Sequence, residues 1–418
     1  MTPPIQVDVA PLLADLEQLA RFSEAEPPAV TRILFSEQDL QARAFLKCRC
    51  AETGLAVRQD PAGNLFARWT GAEPALAAVG TGSHTDAIPF SGRYDGTVGV
   101  LGALHAIRAL QAARWRGRRS IELLMFTSEE PTRFGIGCIG SRLLSGSLSP
   151  DAAAIVTDVT SGATFEAWRR QAGWTGALAD VRLPPDYYAA FVELHIEQGP
   201  LLERAGIPIG VVTAIAAPAA LRVRLDGEGG HAGAVLMADR KDALCAAAEI
   251  VLAVERAAKA TGRTDTVATT GVCQVHPSAI NSIPARVMLE IDIRDTDLGA
   301  RDRIVESVKQ AIRQSTQCRG LRAQIDVLNA DPPASAGPEV VASIEAACRR
   351  LQLDSMLMVS RAYHDSLFMA RICPTGMIFI PCKDGISHRP DEYASPQAIE
   401  DGVNVLALTL AELAGAPA

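Results

Sequence analysis

The chain has 418 residues, of which 48% are hydrophobic and 21% charged, and a formal net charge of -8. That length favours two domains over one ordinary core, and that apolar content excludes a disordered chain. The acidic balance, without a Lys/Arg-rich run, argues against a nucleic-acid partner, and no apolar stretch approaches the roughly 20 residues needed to span a bilayer.

The first ten residues, M-T-P-P-I-Q-V-D-V-A, lack a basic region followed by an apolar core, so no signal peptide is expected. Nine scattered cysteines, with Cys48 and Cys50 the one close pair, read as free thiols in a reducing compartment, which places the chain in the cytoplasm. Residues 9–52 carry helical periodicity, with Leu12, Leu13, Leu16 and Leu19 on one face and Leu40, Ala44, Phe45 and Ala51 on another. A proline-containing loop divides them, and β-type runs follow at 55–58 and 64–69. An apolar strand at 75–79 leads into G-S-H-T-D-A-I-P-F-S-G-R-Y-D, and an apolar helical pattern over 98–110 leaves it. A second buried strand, 121–127, ends in S-E-E-P-T-R-F-G-I-G-C-I-G-S-R, and a third, 189–194, in H-I-E-Q-G-P-L-L-E. Between these two, residues 150–185 read as irregular.

After residue 212 the texture changes. Leu221, Val223 and Leu225 alternate with charged residues, an Ala-rich helix covers 242–259, and β-type runs follow at 265–275 and 282–294. A helix over 300–317 and a strand over 322–327 complete a small α+β domain with one sheet face covered by helices. Its exposed sheet face and edges suit pairing, so this insertion is expected to dimerise. The breaker N-A-D-P-P-A-S-A-G-P returns the chain to the first texture. A helix over 339–351, the segment S-R-A-Y-H-D-S, a buried strand 376–381 ending in C-K-D-G-I-S-H-R-P-D-E-Y, and a last helix over 396–414 follow. The expected domains are 1–212 with 330–418, and 213–329.

Four buried strands thus end in metal-capable groups: His84, the pair Glu129 and Glu130, His195, and His388, with Asp95 in the loop after the first. A parallel sheet brings such ends to one side. Three ligands with an open position make one catalytic site, whereas five suit two metals if one carboxylate bridges, and Asp95 is the best bridge because it shares a loop with His84. Asp86, two residues from His84, is placed to orient it. Glu129 and Glu130 cannot both point the same way, so one can bind metal while the other acts as general base. In the insertion, His231 lies in a glycine-rich loop, and Arg294 and Asn281 could meet a substrate carboxylate. A lone strand-end arginine is more often a solvated charge. His105, inside an apolar helix, reads as structural, and His276 has no spacing partner.

The motifs G-S-H-T-D…G-R-Y-D-G, T-S-E-E-P-T-R-F-G, E-L-H-I-E-Q-G-P, G-G-H-A-G-A-V-L-M…R-K-D-A, N-S-I-P…I-D-I-R-D and G-I-S-H, in order over residues 28–413, resemble the M20-type metallo-amidohydrolases. This is the branch of allantoate amidohydrolases, β-ureidopropionases and N-carbamoyl-L-amino-acid amidohydrolases. Within it, S-R-A-Y-H-D-S-L-F-M-A-R-I-C-P-T-G-M-I-F-I-P-C, T-A-I-A-A-P-A and H-P-S-A-I-N-S-I-P look most like the plant-type ureidoglycolate amidohydrolases. Arg361, Ala362 and Tyr363 stand where relatives acting on other ureido compounds carry a small Gly-Ala-Gly-like run, whereas K-D-G-I-S-H and residues 150–185 depart from the pattern. The resemblance implies an α/β fold: a zinc-peptidase-like catalytic domain with an inserted α+β lid and dimerisation domain. It implies two divalent metals, usually manganese, with zinc, nickel or cobalt as alternatives. It assigns His84, Asp95 and His195 to one ion and Asp95, Glu130 and His388 to the other, with Asp86 orienting His84 and Glu129 as general base. Gln198, His231, Asn281, Arg294, Tyr363 and His364 would contact substrate, with His231 also stabilising the oxyanion. The implied reaction is cleavage of a ureido C–N bond in a small carboxylate such as ureidoglycolate, by a homodimer. Allantoate or an N-carbamoyl-L-amino acid is the alternative substrate, and a metal-free binding protein of the same fold the alternative class.

Overall fold

The structure, a computed structural model, describes residues 5–416; the first four residues, where the expected unprocessed N-terminus begins, and residues 417–418 lie outside it. The chain divides into two compact units, one of residues 1–213, 335–358 and 364–418, the other of 214–334 and 359–363.

The first unit is built on a nine-stranded sheet. Its centre is four parallel strands in the order Thr375–Ile380, Tyr188–Ile196, Ala78–His84 and Ile121–Phe126. Antiparallel strands flank them, Ile209–Ile215 on one side and Leu65–Trp69 followed by Ala56–Gln59 on the other. Parallel strands covered on both faces lose the polar–apolar alternation, which is why three of these read as mainly apolar runs. The fourth, Ala78–His84, is equally buried but reads A-V-G-T-G-S-H, so the apolar run expected over 75–79 covers only its start. One face carries the helices Val9–Ala20, Thr97–Ala112, Pro338–Leu351 and Pro396–Ala414 on a core including Val79, Leu101, Leu123, Val192 and Ile378. The helix Thr97–Ala112 lies close to the sheet because Gly99 has no side chain: a Cβ there would come within 2.4 Å of the Leu194 carbonyl.

The other face holds an aromatic core of Phe35, Phe66, Phe126, Phe134, Phe165, Trp174 and Phe191. Much of its cover is the stretch 150–185, read above as irregular. It forms helices Pro150–Ile155 and Phe165–Gln171 and a 3-10 turn Leu178–Val181. Helices of six or seven residues are too short to display a period. Their sequence signal is the caps, Ser149 accepting from the Ala152 amide and Thr164 from that of Ala167.

The second unit is a four-stranded antiparallel sheet in the order Val267–His276, Arg286–Asp295, Ala217–Asp226 and Arg322–Ala330. Helices Ala243–Lys259 and Leu298–Arg319 pack on Leu221, Val223, Leu289, Ile291 and Ile293. The opposite face carries ion pairs, Arg222–Glu290 at 2.7 Å and Arg224–Asp326 at 3.3 Å. A two-stranded ribbon, Gly230–His231 against Ser282–Ile283, extends beyond the Asp226 and Arg286 end of the sheet.

Candidate metal centre

The four parallel strands deliver His84, Glu129 with Glu130, His195 and His388 to one end of the first unit's sheet. His84, Asp95 and His195 offer ligand atoms within 4.8 Å of one another, and so do Asp95, Glu130 and His388. Asp95 belongs to both groups, and its two oxygens divide between them. Oδ1 lies 3.5 Å from His84 Nε2 and 3.1 Å from His195 Nε2, while Oδ2 lies 3.1 Å from His388 Nε2. Glu130 Oε1 is 3.3 Å from His388 Nε2. Burial pushes the Asp95 carboxyl up, but hydrogen bonds from His195, His388 and His84 outweigh it and hold the group well below the usual carboxylate range.

Both inner histidines use Nδ1 on backbone oxygen, His84 on Asp86 O at 3.0 Å and His195 on Ile196 O at 2.8 Å. That arrangement turns each Nε2 toward Asp95. The orienting group for His84 is therefore the carbonyl of Asp86 rather than its carboxylate, whose Oδ1 is 3.8 Å from the ring. The carboxylate instead accepts from the amides of Glu129 (3.4 Å) and Glu130 (3.0 Å), joining two strand-end loops. Burial pushes Asp86 up to about 6. Gly96 completes the cradle. Its φ is +66, its amide lies 3.2 Å from His195 Nε2, and a Cβ there would meet the His84 ring at 2.5 Å.

Glu129 is buried, with Oε2 3.7 Å from His84 Nε2. Burial pushes its carboxyl well above the usual value, the charge of Glu130 adding to the effect and His84 opposing it. Gln198 donates from Nε2 to Asp95 Oδ2 at 2.8 Å, while its Oε1 is buried without a hydrogen-bond partner. His364 is buried beside His195, ring centroids 4.6 Å apart, and forms a further candidate group with His195 and Glu193. The Glu193 carboxylate there already accepts from the Ser83 and Ser366 hydroxyls at 2.6 and 2.5 Å. Tyr363 ends the second unit's segment and His364 begins the first unit's.

In the second unit, His231 and Asn281 come together: His231 pairs with Ser282, and the Ala232 amide donates to the Asn281 carbonyl at 2.9 Å. Both are exposed. Arg294 is at the other end of the long strand, its guanidinium 2.7 Å from Asp292 and 3.2 Å from the Arg361 carbonyl. From Arg286 to Arg294 that strand runs about 26 Å at ~3.3 Å per residue. Asn281 and Arg294 of one chain therefore cannot grip one small carboxylate together.

Sequence reasoning passed over three buried groups. Glu392 accepts from the amides of Tyr94 (2.8 Å) and Asp95 (3.1 Å) and from Ser387 Oγ (2.9 Å), and burial raises it to about 7. Asp365, raised by burial to about 8, lies 2.5 Å from Ser141 Oγ. Cys138 adjoins Glu129. The one available signal was the presence of carboxylates in the loop that carries His388, and it does not choose Glu392 over Asp384 or Asp391.

The family model "Peptidase family M20/M25/M40" matches residues 80–412. The chain belongs to this family. The ureidoglycolate hydrolases of Oryza sativa subsp. japonica and Arabidopsis thaliana are 52% and 50% identical to it, over 98% of this chain and 86–87% of theirs. The N-carbamoyl-L-amino-acid amidohydrolase of Pseudomonas sp. is 36% identical over 94% of this chain and 95% of its own. Among solved structures, AtUAH in complex with glyoxylate superposes with a TM-score of 0.91 at 49% identity, covering 98% of both chains. The chain is a hydrolase of the M20 family and has that family's α/β fold. Its donor set of imidazoles and carboxylates, gathered on a shared Asp95, fits a pair of divalent ions.

Proposed function

We propose that this enzyme hydrolyses the ureido group of a small carboxylate, ureidoglycolate, to glyoxylate, ammonia and carbon dioxide. The carrying observation is the division of Asp95 between two three-residue groups beside a buried Glu129, in a chain half identical to ureidoglycolate hydrolases. His84, Asp95 and His195 would hold one ion and Asp95, Glu130 and His388 the other, with manganese the preferred ion. When bound, such ions supply Lewis acidity, lowering the pKa of a water from 15.7 toward ~7 and polarising a carbonyl.

The protein's own groups do the rest. Glu129 takes the proton of the attacking water and returns it to the departing ammonia. The raised affinity of its carboxyl for a proton suits the first transfer. Asp86 holds the loop that carries Glu129. Gln198, with an unpartnered Oε1, and His364 and Tyr363 face the substrate. Arg294 contacts its carboxylate, and His231 steadies the oxyanion, a role worth roughly 3–4 kcal/mol for one donor. Asn281 acts beside His231. Because the ribbon with His231 and Asn281 lies beyond the Arg286 end of a strand whose Arg294 is a further ~26 Å along, we assign them to sites of different subunits in a homodimer formed through the second unit. The same unit serves as the lid. The compartment is the cytoplasm; no helix among the described residues is long and apolar enough to cross a membrane.

Ammonia release with manganese, measured across ureidoglycolate, allantoate, N-carbamoyl-β-alanine and N-carbamoyl-L-amino acids, tests the substrate. Ureidoglycolate should give the highest kcat/KM. A preference for allantoate or an N-carbamoyl amino acid would overturn the assignment while leaving the chemistry in place.

A further inference from the structure

Cys138 takes no part in the chemistry above, yet its position is specific. It is fully buried, and its backbone is left-handed at φ 58 and ψ 33, a conformation that costs a non-glycine residue free energy. The amides of Cys138, Ile139 and Gly140 donate to the carbonyls of Glu129, Ser128 and Thr127 at 3.0, 3.1 and 2.8 Å. This ladder folds the loop back on itself and sets the thiol against the Glu129 carboxylate. Sγ is 3.7 Å from Oε1, while the His84 imidazole is 3.7 Å from Oε2, so each oxygen has its own neighbour. The Cys138 carbonyl is held in turn by Ser141 Oγ at 3.3 Å, and that hydroxyl also meets Asp365. Burial, with the charges of Asp365 and Glu129, pushes the thiol well above its usual value, so it remains an S–H donor.

We propose that Cys138 is a positioning residue for Glu129: its thiol donates to Oε1 and holds the carboxylate in the orientation from which it takes and returns the proton. A glycine would relieve the left-handed backbone at no steric cost. What cysteine adds at this position is the thiol. The inference rests on Glu129 being the general base.

The experiment compares Cys138→Gly, Cys138→Ala and Cys138→Ser with the wild-type, manganese-loaded enzyme. It reads kcat and KM for ureidoglycolate, metal content and Tm. Cys138→Gly should keep metal content, KM and Tm and lose roughly 10- to 100-fold in kcat, the size expected when a catalytic group is displaced by a fraction of an ångström to an ångström. Cys138→Ala should show the same loss. Cys138→Ser, which restores a donor, should recover most of the rate. Wild-type kcat in the glycine or alanine variant, or a serine variant as slow as alanine, overturns the proposal. Glu129→Gln, assayed alongside, separates the two readings. Full turnover there removes the general base itself, whereas an inactive Glu129→Gln beside a fully active Cys138→Gly removes the positioning role alone.

Discussion

Asp95 links two groups of strand-end side chains, because its Oδ1 faces His84 and His195 and its Oδ2 faces His388. Around it, polar groups are fixed mainly by main-chain contacts. Backbone carbonyls aim His84 and His195, and Glu392 secures the Asp95 loop through two amides. Two expectations belong to this scale. Glu129→Gln should retain metal and lose turnover by about 10²- to 10⁴-fold, the usual worth of a general base; normal turnover with bound metal would refute the role. Gly96→Ala would drive a methyl against the His84 ring and strain a left-handed backbone. Metal titration by calorimetry should then show affinity weakened by about 10- to 100-fold, as for other groups that support ligands. An unchanged isotherm would mean that the loop yields freely.

Elements hold the site through buried polar clips between distant segments. The turn between strands Ala56–Gln59 and Leu65–Trp69 is one. Asp60 accepts from the Ala62 and Asn64 amides and from Asn64 Nδ2, and Asn64 Oδ1 accepts from the Thr127 amide just ahead of Glu129. Burial nonetheless raises the Asp60 carboxyl to about 6. Its native pKa then exceeds the unfolded value of ~3.9, so the folded state holds more protons between the two. The stabilising contribution is complete below pH ~3.9 and lost as pH rises through about 6. Urea unfolding at pH ~7.5 and ~4.5 should show the wild type gaining up to about 2 kcal/mol on Asp60→Asn at the lower pH. A difference independent of pH would place the Asp60 pKa near its ordinary value.

At the scale of the molecule, the separation of the His231 ribbon from Arg294 makes a subunit-sharing test decisive. If the proposed homodimer draws these residues from different chains, His231→Ala and Arg294→Ala are each inactive alone. Unfolded and refolded together in equal amounts, they should regain roughly a quarter of wild-type activity, since half the dimers are mixed and each has one intact site. No recovery from a dimeric mixture would put both residues in one subunit's site or in none.

The strand ends that meet at the candidate site were legible in the linear chain. Strands buried on both faces run mostly apolar, and polar residues at or beyond the end of such a run sit at the sheet's edge, where parallel strands converge. Ala78–His84, with Thr81 and Ser83 buried inside it, carries this signal least clearly. The alternation of Val287, Leu289, Ile291 and Ile293 likewise marked the half-covered sheet of the second unit. Short capped helices over 150–185 escaped because six or seven residues carry no measurable period. The sequence by itself determined which side chains reach the sheet's edge, since that depends on local pattern and strand direction. Only the tertiary structure decided how they are held. Asp86 turns its carbonyl to His84 and its carboxylate to another loop, Glu392 reaches Tyr94 and Asp95, and Asn281 is kept apart from Arg294. Each of these is a contact, or a distance, between segments whose spacing along the chain carries no information about their approach in space.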